Sequence, residues 1–409
     1  MSEQAVSLTS EFVSNPARYP ELREQGPLAR VVLPQLETPV WLVTGYEDAK
    51  AALNDPRFIR DSTKLPGQEG PSLVDQMIAA YGLPAEYSQY LGILMLQDGT
   101  EHARVRKLLT RSFTARRVNA SRPRLEQLTA GIAATRSAKG EVVDLIEAIG
   151  YPVAGEALCR LIGVDEADRA DVQSTIRQYA SGNPETFVPA LQSIVEYAKD
   201  LIARRRTERG DDLISDLLGA ADEAGAKVAL SETELIAIFL LLVNTGITPP
   251  AEFLCRAVLT LLDHPDQLAK LRAQPEILGS HAVPELLRFL TSAPMSAPMY
   301  ATEDLEFQGC PVKQGEAVSA SLLALNHDPR EFAAPGKLDL TRELGSGTGH
   351  MAFGHGPHLC IGAALSRMQT EVVIDQLLLK HEGLQVAGER EYRGQPGEGM
   401  HLINLPVRF

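Results

Sequence analysis

A run of 17 residues without a single charge, from Leu235 to Ala251, crosses the middle of this 409-residue chain. A helix that is apolar all round must be buried in a large protein or embedded in lipid. The run is slightly short for a bilayer span, and it holds Asn244, Thr245, Thr248, Pro249 and Pro250. It is therefore read as an interior helix, which requires the rest of the chain to wrap around it. Ser231 and Glu234, spaced as a capping box, mark its start.

The flanking sequence supplies the wrapping. Helical periodicity recurs in residues 125–134, 148–163, 190–210, 211–225, 264–275 and 281–290. The 190–210 pattern follows a break at Gly182, Asn183 and Pro184 and ends in a basic run suited to the helix dipole, whereas Gly225 stops the next helix. Strand signals are short. Val40–Val43 reads as a strand, with a turn at Gly45 and then a helix carrying Ala49, Ala52 and Leu53, and residues 301–320 alternate as strands do. Pro and Gly scattered between 61 and 88 predict a loop-rich cover over a pocket. No repeat or Ser/Gly-rich linker divides the chain, so the expected fold is mainly α with small β-sheets, in a single domain over 1–409.

A net charge of -14 argues against a general nucleic-acid binder. The four cysteines, Cys159, Cys255, Cys310 and Cys360, form no C-x-x-C pair and suit a reducing, cytoplasmic setting. The N-terminal residues show no basic stretch followed by an apolar one, so neither a secretion signal nor a membrane anchor is expected.

The chemistry concentrates between His350 and Arg367. Gly354, Gly356 and Gly362 surround His355, His358 and Cys360 immediately before a helical pattern. Such a loop presents a sulfur to backbone N–H groups and a helix N-terminus, where an anion is stabilised. Two other readings stand beside it: a small core cysteine, and a zinc site from His350, His355, His358 and Cys360, although the spacing lacks paired ligands.

The loop resembles the haem-binding loop of the cytochrome P450 family, soluble bacterial type. Phe353, Gly354, Gly356, His358, Cys360 and Gly362 meet the family pattern at every position. The resemblance runs along nearly the whole chain. It implies heme b, iron protoporphyrin IX, with Cys360 as axial thiolate and metal ligand, Phe353 beside the sulfur and His358 on a propionate. His102 and Arg106 stand where bacterial relatives hold the other propionate contacts. Glu285 and Arg288, three apart in PELLRF, match a buried pair that ties to a later arginine, here Arg342, and braces the cysteine loop. Residues 323–343 supply a further landmark.

The resemblance also implies partners. Arg104, Arg106, Lys107, Arg111, Arg116 and Arg117 fall within 14 residues, against an acidic average. They suit an acidic electron donor, which in relatives is a ferredoxin fed by an NAD(P)H-dependent ferredoxin reductase. A solvated helix face is the plainer reading of the same residues.

Two departures stand out. The family places a small residue, glycine, any residue, an acid and threonine in the central helix, where they deliver protons. Here Thr245, Gly246, Thr248 and Pro249 take those four named places, or, one residue over, Ile247 takes the acid position and Thr248 the threonine. Pro249 has neither hydroxyl nor N–H, and two adjacent prolines predict a kink. Met299 stands where the family commonly has a propionate-binding arginine. The segment Ala293 to Pro298, with Met295, and Ile93, Leu94 and Met95 are expected to line a pocket for a bulky apolar ligand together with Met299.

The implied activity is hydroxylation or epoxidation of a bulky secondary metabolite, as in antibiotic biosynthesis, with the substrate free or carrier-bound. Pro249 keeps oxidative coupling or cyclisation without oxygen insertion open. A non-catalytic partner protein of the same fold is the third reading.

Overall fold

The structure, a computed structural model, describes residues 5–32, 39–67, 72–181, 183–224, 229–344, 349–381, 383–395 and 399–409. Gly182 and Gly225, read above as helix breakers, lie outside them. The uncharged run forms the last turns of one helix and the first of another. Glu232–Gly246 opens with Ser231 and Glu234 capping each other: the Glu234 carboxylate accepts from the Ser231 N–H at 2.8 Å, and the Ser231 hydroxyl accepts from the Glu234 N–H at 3.1 Å. From Leu235 to Leu240 every side chain is buried. By length and composition Glu232–Asp263 is apolar enough to cross a membrane, but much of it is buried within this chain.

The predicted kink is a full interruption. Ile247, at φ -118 and ψ -64, separates Glu232–Gly246 from a second helix, Thr248–Asp263. Pro249 and Pro250 fall in the first turn of that helix, where main-chain N–H groups have no intrahelical acceptor anyway, so neither ring breaks a bond. Gly246 sits where a Cβ would approach the Leu158 side chain to 3.1 Å, so the helix Tyr151–Ile162 packs closely against the break.

Among the described residues, four small sheets flank the helices. The largest has six strands, in the order Val6–Ser7, Leu28–Val32, Val40–Val43, Ala317–Ala320, Met299–Ala301 and Phe58–Ile59. Its last two pairings are antiparallel, with Phe58 opposite Ala301 and Ile59 opposite Tyr300. Gly45 caps the helix Tyr46–Asn54, whose Ala49, Ala52 and Leu53 are buried.

One segment differs from its sequence reading. Within the loop-rich 61–88 region lies a helix, Leu73–Tyr81, opened by a capping box in which Ser72 and Asp75 exchange backbone and side-chain bonds of 2.9 and 3.0 Å. The surrounding turn residues concealed a cap that satisfies the helix start locally.

Candidate haem-thiolate site

The cysteine loop is built by its own backbone. Gly354 and Gly356 both have φ of +74, a left-handed conformation open to glycine. At Gly356 a Cβ would come within 2.7 Å of the Leu53 carbonyl oxygen, so only glycine fits against the 46–54 helix. The Cys360 N–H donates to the Phe353 carbonyl at 2.9 Å, and the Gly354 N–H to that of Met351 at 3.0 Å. These bonds hold Cys360 just before the helix Ala363–Ile374.

Cys360 is exposed to solvent, yet protein packs closely around its sulfur. Burial pushes its thiol up, while the N–H groups of Gly362 and Ala363 and the guanidiniums of Arg106 and Arg367 pull the other way. Burial prevails, so the free sulfur is held as a thiol; a coordinating cation removes that proton. Arg367, which sequence reading missed, lies two helical turns beyond the cysteine with its guanidinium 5.3 Å from the Phe353 ring centre.

A cation-rich cluster lies beside this cysteine. His102 and His358 lie against each other with ring planes tilted by 36° and ring centres 4.1 Å apart. Burial first, then Arg60, His102 and Arg106, push His358 down to about 3. His102 is lowered by burial and by Arg106 and Arg60. His102 Nε2 and Arg60 Nε are buried without a hydrogen-bond partner among the described residues. Asp98 lies 4.0 Å from His358. So many donors crowded around one carboxylate fit an anionic ligand, and the two propionates of heme b have that chemistry. No group of three or more His, Cys, Asp or Glu placed to hold a metal ion occurs among the described residues, which removes the zinc reading.

Behind the loop, Glu285 and Arg288 are both fully buried. The Glu285 carboxylate accepts from Arg288 Nε at 2.7 Å and from Arg342 Nε at 3.1 Å. Arg288 also donates to the Asn326 carbonyl at 2.7 Å, and the Asn326 side-chain oxygen accepts the Met351 N–H at 2.7 Å. Asn326, absent from the sequence reading, thus links the ion pair to the first residues of the cysteine loop.

His327, next in the chain, is held down to about 4 by burial and by Arg288. Between pH 6.5 and 4 the unfolded chain takes up a proton that the folded one refuses, so stability falls with acidification by up to about 3 kcal/mol from this residue. Urea unfolding across that window should show the loss in the wild type, and a flatter profile in His327→Gln. Equal slopes would exclude His327 as a source.

The expected docking stretch is thinner than its composition. Arg104 pairs with Glu234, Arg117 with Asp211 and Asp216, and Arg106 turns toward Cys360. Lys107, Arg111 and Arg116 remain exposed. The pocket residues are likewise dispersed. A cavity of about 300 Å³ lies beside Arg60, Gln97 and Ala237, and of the six residues expected to line a pocket only Ile93 borders it. Met299 packs in the sheet core with Phe58 and Val318, Met295 packs near Leu323, and Met95 and Ala293 are exposed. Leu94 is buried with φ of +61, and its carbonyl meets the His358 ring.

A helix-rich chain with a cysteine loop of this geometry defines a class, the haem-thiolate proteins. The Cytochrome P450 family model matches residues 170–393. The chain is 37% identical over 373 residues to Cytochrome P450 107B1 of Saccharopolyspora erythraea, covering 90% of this chain and 88% of that protein. It is 35% identical to 6-deoxyerythronolide B hydroxylase of the same organism, covering 90% and 89%. The crystal structure of cytochrome P450 MoxA from Nonomuraea recticatena superposes with a TM-score of 0.86 at 30% identity, covering 99% of this chain and 98% of that one. This chain belongs to the cytochrome P450 family, and it is a monooxygenase-class oxidoreductase that carries haem on an axial cysteine thiolate. When bound, haem supplies the redox chemistry that activates dioxygen, favoured by electron release from the thiolate.

Proposed function

We propose that this chain, acting as one unit over 1–409, hydroxylates or epoxidises a bulky apolar secondary metabolite, with Cys360 as the axial thiolate. The observation that carries the reading is Cys360, presented by a glycine loop in which its N–H meets the Phe353 carbonyl, with the Arg106 and Arg367 guanidiniums close enough to act on its sulfur. Relatives named 6-deoxyerythronolide B hydroxylase and Mycinamicin IV hydroxylase/epoxidase support the substrate class. His102, Arg106 and His358 hold the cofactor's carboxylates, Phe353 and Gly362 shape the loop, and Glu285, Arg288 and Arg342 brace it. Lys107, Arg111 and Arg116 offer a positive face to an acidic ferredoxin, reduced in turn by an NAD(P)H-dependent reductase in the cytoplasm.

Proton supply is where this chain departs. The Thr245 hydroxyl donates to the Leu241 carbonyl at 2.8 Å, which leaves its oxygen as an acceptor. The Thr248 side chain meets the Tyr151 hydroxyl, and Pro249 has no proton to give. This favours, as a second reading, oxidative coupling or cyclisation without oxygen insertion.

The test pairs two measurements. A visible-absorption titration of ferric protein with macrolactones, aromatic polyketides, terpenes and small cyclic peptides finds a ligand that shifts the haem band. Turnover of that ligand under isotopically labelled dioxygen should then place label in the product. An oxidised product without label would replace the first reading with the second.

A further inference from the structure

We propose that Arg60 is a cofactor-binding residue of this chain, supplying from the neighbouring strand the propionate-binding guanidinium that position 299 lacks. The inference rests on the haem-thiolate reading centred on Cys360.

The ladder between Phe58–Ile59 and Met299–Ala301 sets the geometry. Phe58 faces Ala301 and Ile59 faces Tyr300; Arg60 follows where the strand ends, at the position that continues this register opposite Met299. Residues directly opposite project to the same face, with Cβ atoms about 5 Å apart. An arginine moved across that pair therefore keeps its head group on the same side of the sheet. The Arg60 guanidinium already leans that way, donating through Nη1 to the Ala297 carbonyl at 3.3 Å.

The main chain fixes where this side chain leaves the strand. The Asp98 carboxylate accepts the N–H groups of Arg60 and Asp61, each at 2.9 Å. That use of Asp98 leaves it a poor partner for the Arg60 head group, whose Nε is buried with no acceptor among the described residues. The same Asp98 lies 4.0 Å from the His358 ring, and His102 sits against that ring with centres 4.1 Å apart, so Arg60 shares their cluster. A half-buried guanidinium whose buried Nε has no acceptor, grouped with two histidines and Arg106, is stabilised by the arrival of a carboxylate. Met299 meanwhile is in the sheet core and donates nothing. The departure at 299 and the orphaned donor at 60 are thus one exchange across a strand pair.

The test measures haem loss from ferric holoprotein to excess apomyoglobin in wild type, Arg60→Leu, Arg60→Lys and the double variant Arg60→Leu/Met299→Arg. A lost charge-assisted hydrogen bond should speed release from Arg60→Leu by about 10- to 100-fold. Arg60→Lys should fall between, and the double variant should return toward the wild-type rate because the guanidinium is back on the same face. Should Arg60→Leu not accumulate with haem, Arg60→Gln gives the same contrast. An unchanged rate in Arg60→Leu, or a double variant as fast as the single one, overturns the inference. A merely structural role would lower the unfolding temperature in both and would not be cured by moving the charge. Wild-type protein with no thiolate-type haem spectrum would instead overturn the Cys360 reading itself.

Discussion

Cys360→Ser protein is expected to fold, to lose the thiolate-type absorption of the reduced, carbon monoxide-bound form, and to lose its oxygenase turnover. The loop keeps its shape in this variant because main-chain atoms set it: the residue 360 N–H still meets the Phe353 carbonyl, and Gly354 and Gly356 keep their left-handed turns. What disappears is the one soft anionic ligand. Even outer partners of metal sites cost ten- to a hundredfold when removed, so loss of the ligand itself should lower turnover by more than about a hundredfold. Far-ultraviolet circular dichroism matching wild type would separate this from misfolding. A thiolate-type spectrum retained by Cys360→Ser would mean that another group holds the iron.

Glu285→Ala should fail differently, by losing fold and cofactor together. Glu285 is fully buried and accepts from both Arg288 and Arg342, so its removal leaves two guanidiniums without their carboxylate. Breaking a buried pair from one side destabilises by about 3–5 kcal/mol. The damage should reach the cysteine loop, because Arg288 holds the Asn326 main chain and the Asn326 side chain holds Met351. The urea midpoint and the haem-to-protein ratio should therefore drop together. A stable Glu285→Ala protein with full haem content would show that the chain from Glu285 to Met351 carries no strain.

Legibility in the sequence followed distance along the chain. The cysteine loop is readable because its glycines and its sulfur sit within nine residues, and the turns they force are local. Glu285 and Arg288 are three apart, which places them on one helix face before any tertiary contact is known. Asn326 and Arg60 could not be found this way. Arg60 meets the Ala297 carbonyl across 237 positions, and only the pairing of two very short strands brings them together. The basic stretch was overread for a related reason: composition counts Arg104 and Arg117 as free charge, whereas Glu234, Asp211 and Asp216 arrive from elsewhere to neutralise them. The Ser72 cap was legible but lay among turn residues that outvoted it.

The interruption at Ile247 changes what the middle of the protein can say to a ligand. In a continuous α-helix the carbonyls of Thr245 and Gly246 would accept from the N–H groups of residues 249 and 250. Both of those residues are proline, so these two oxygens have no α-helical donor. With the Thr245 hydrogen already committed to Leu241, this spot, made of the Thr245 hydroxyl and these two carbonyls, offers a ligand acceptors alone. A molecule that settles against it must bring the hydrogen of the contact with it. Alcohols and amines meet that requirement, and ethers and ketones of the same shape do not.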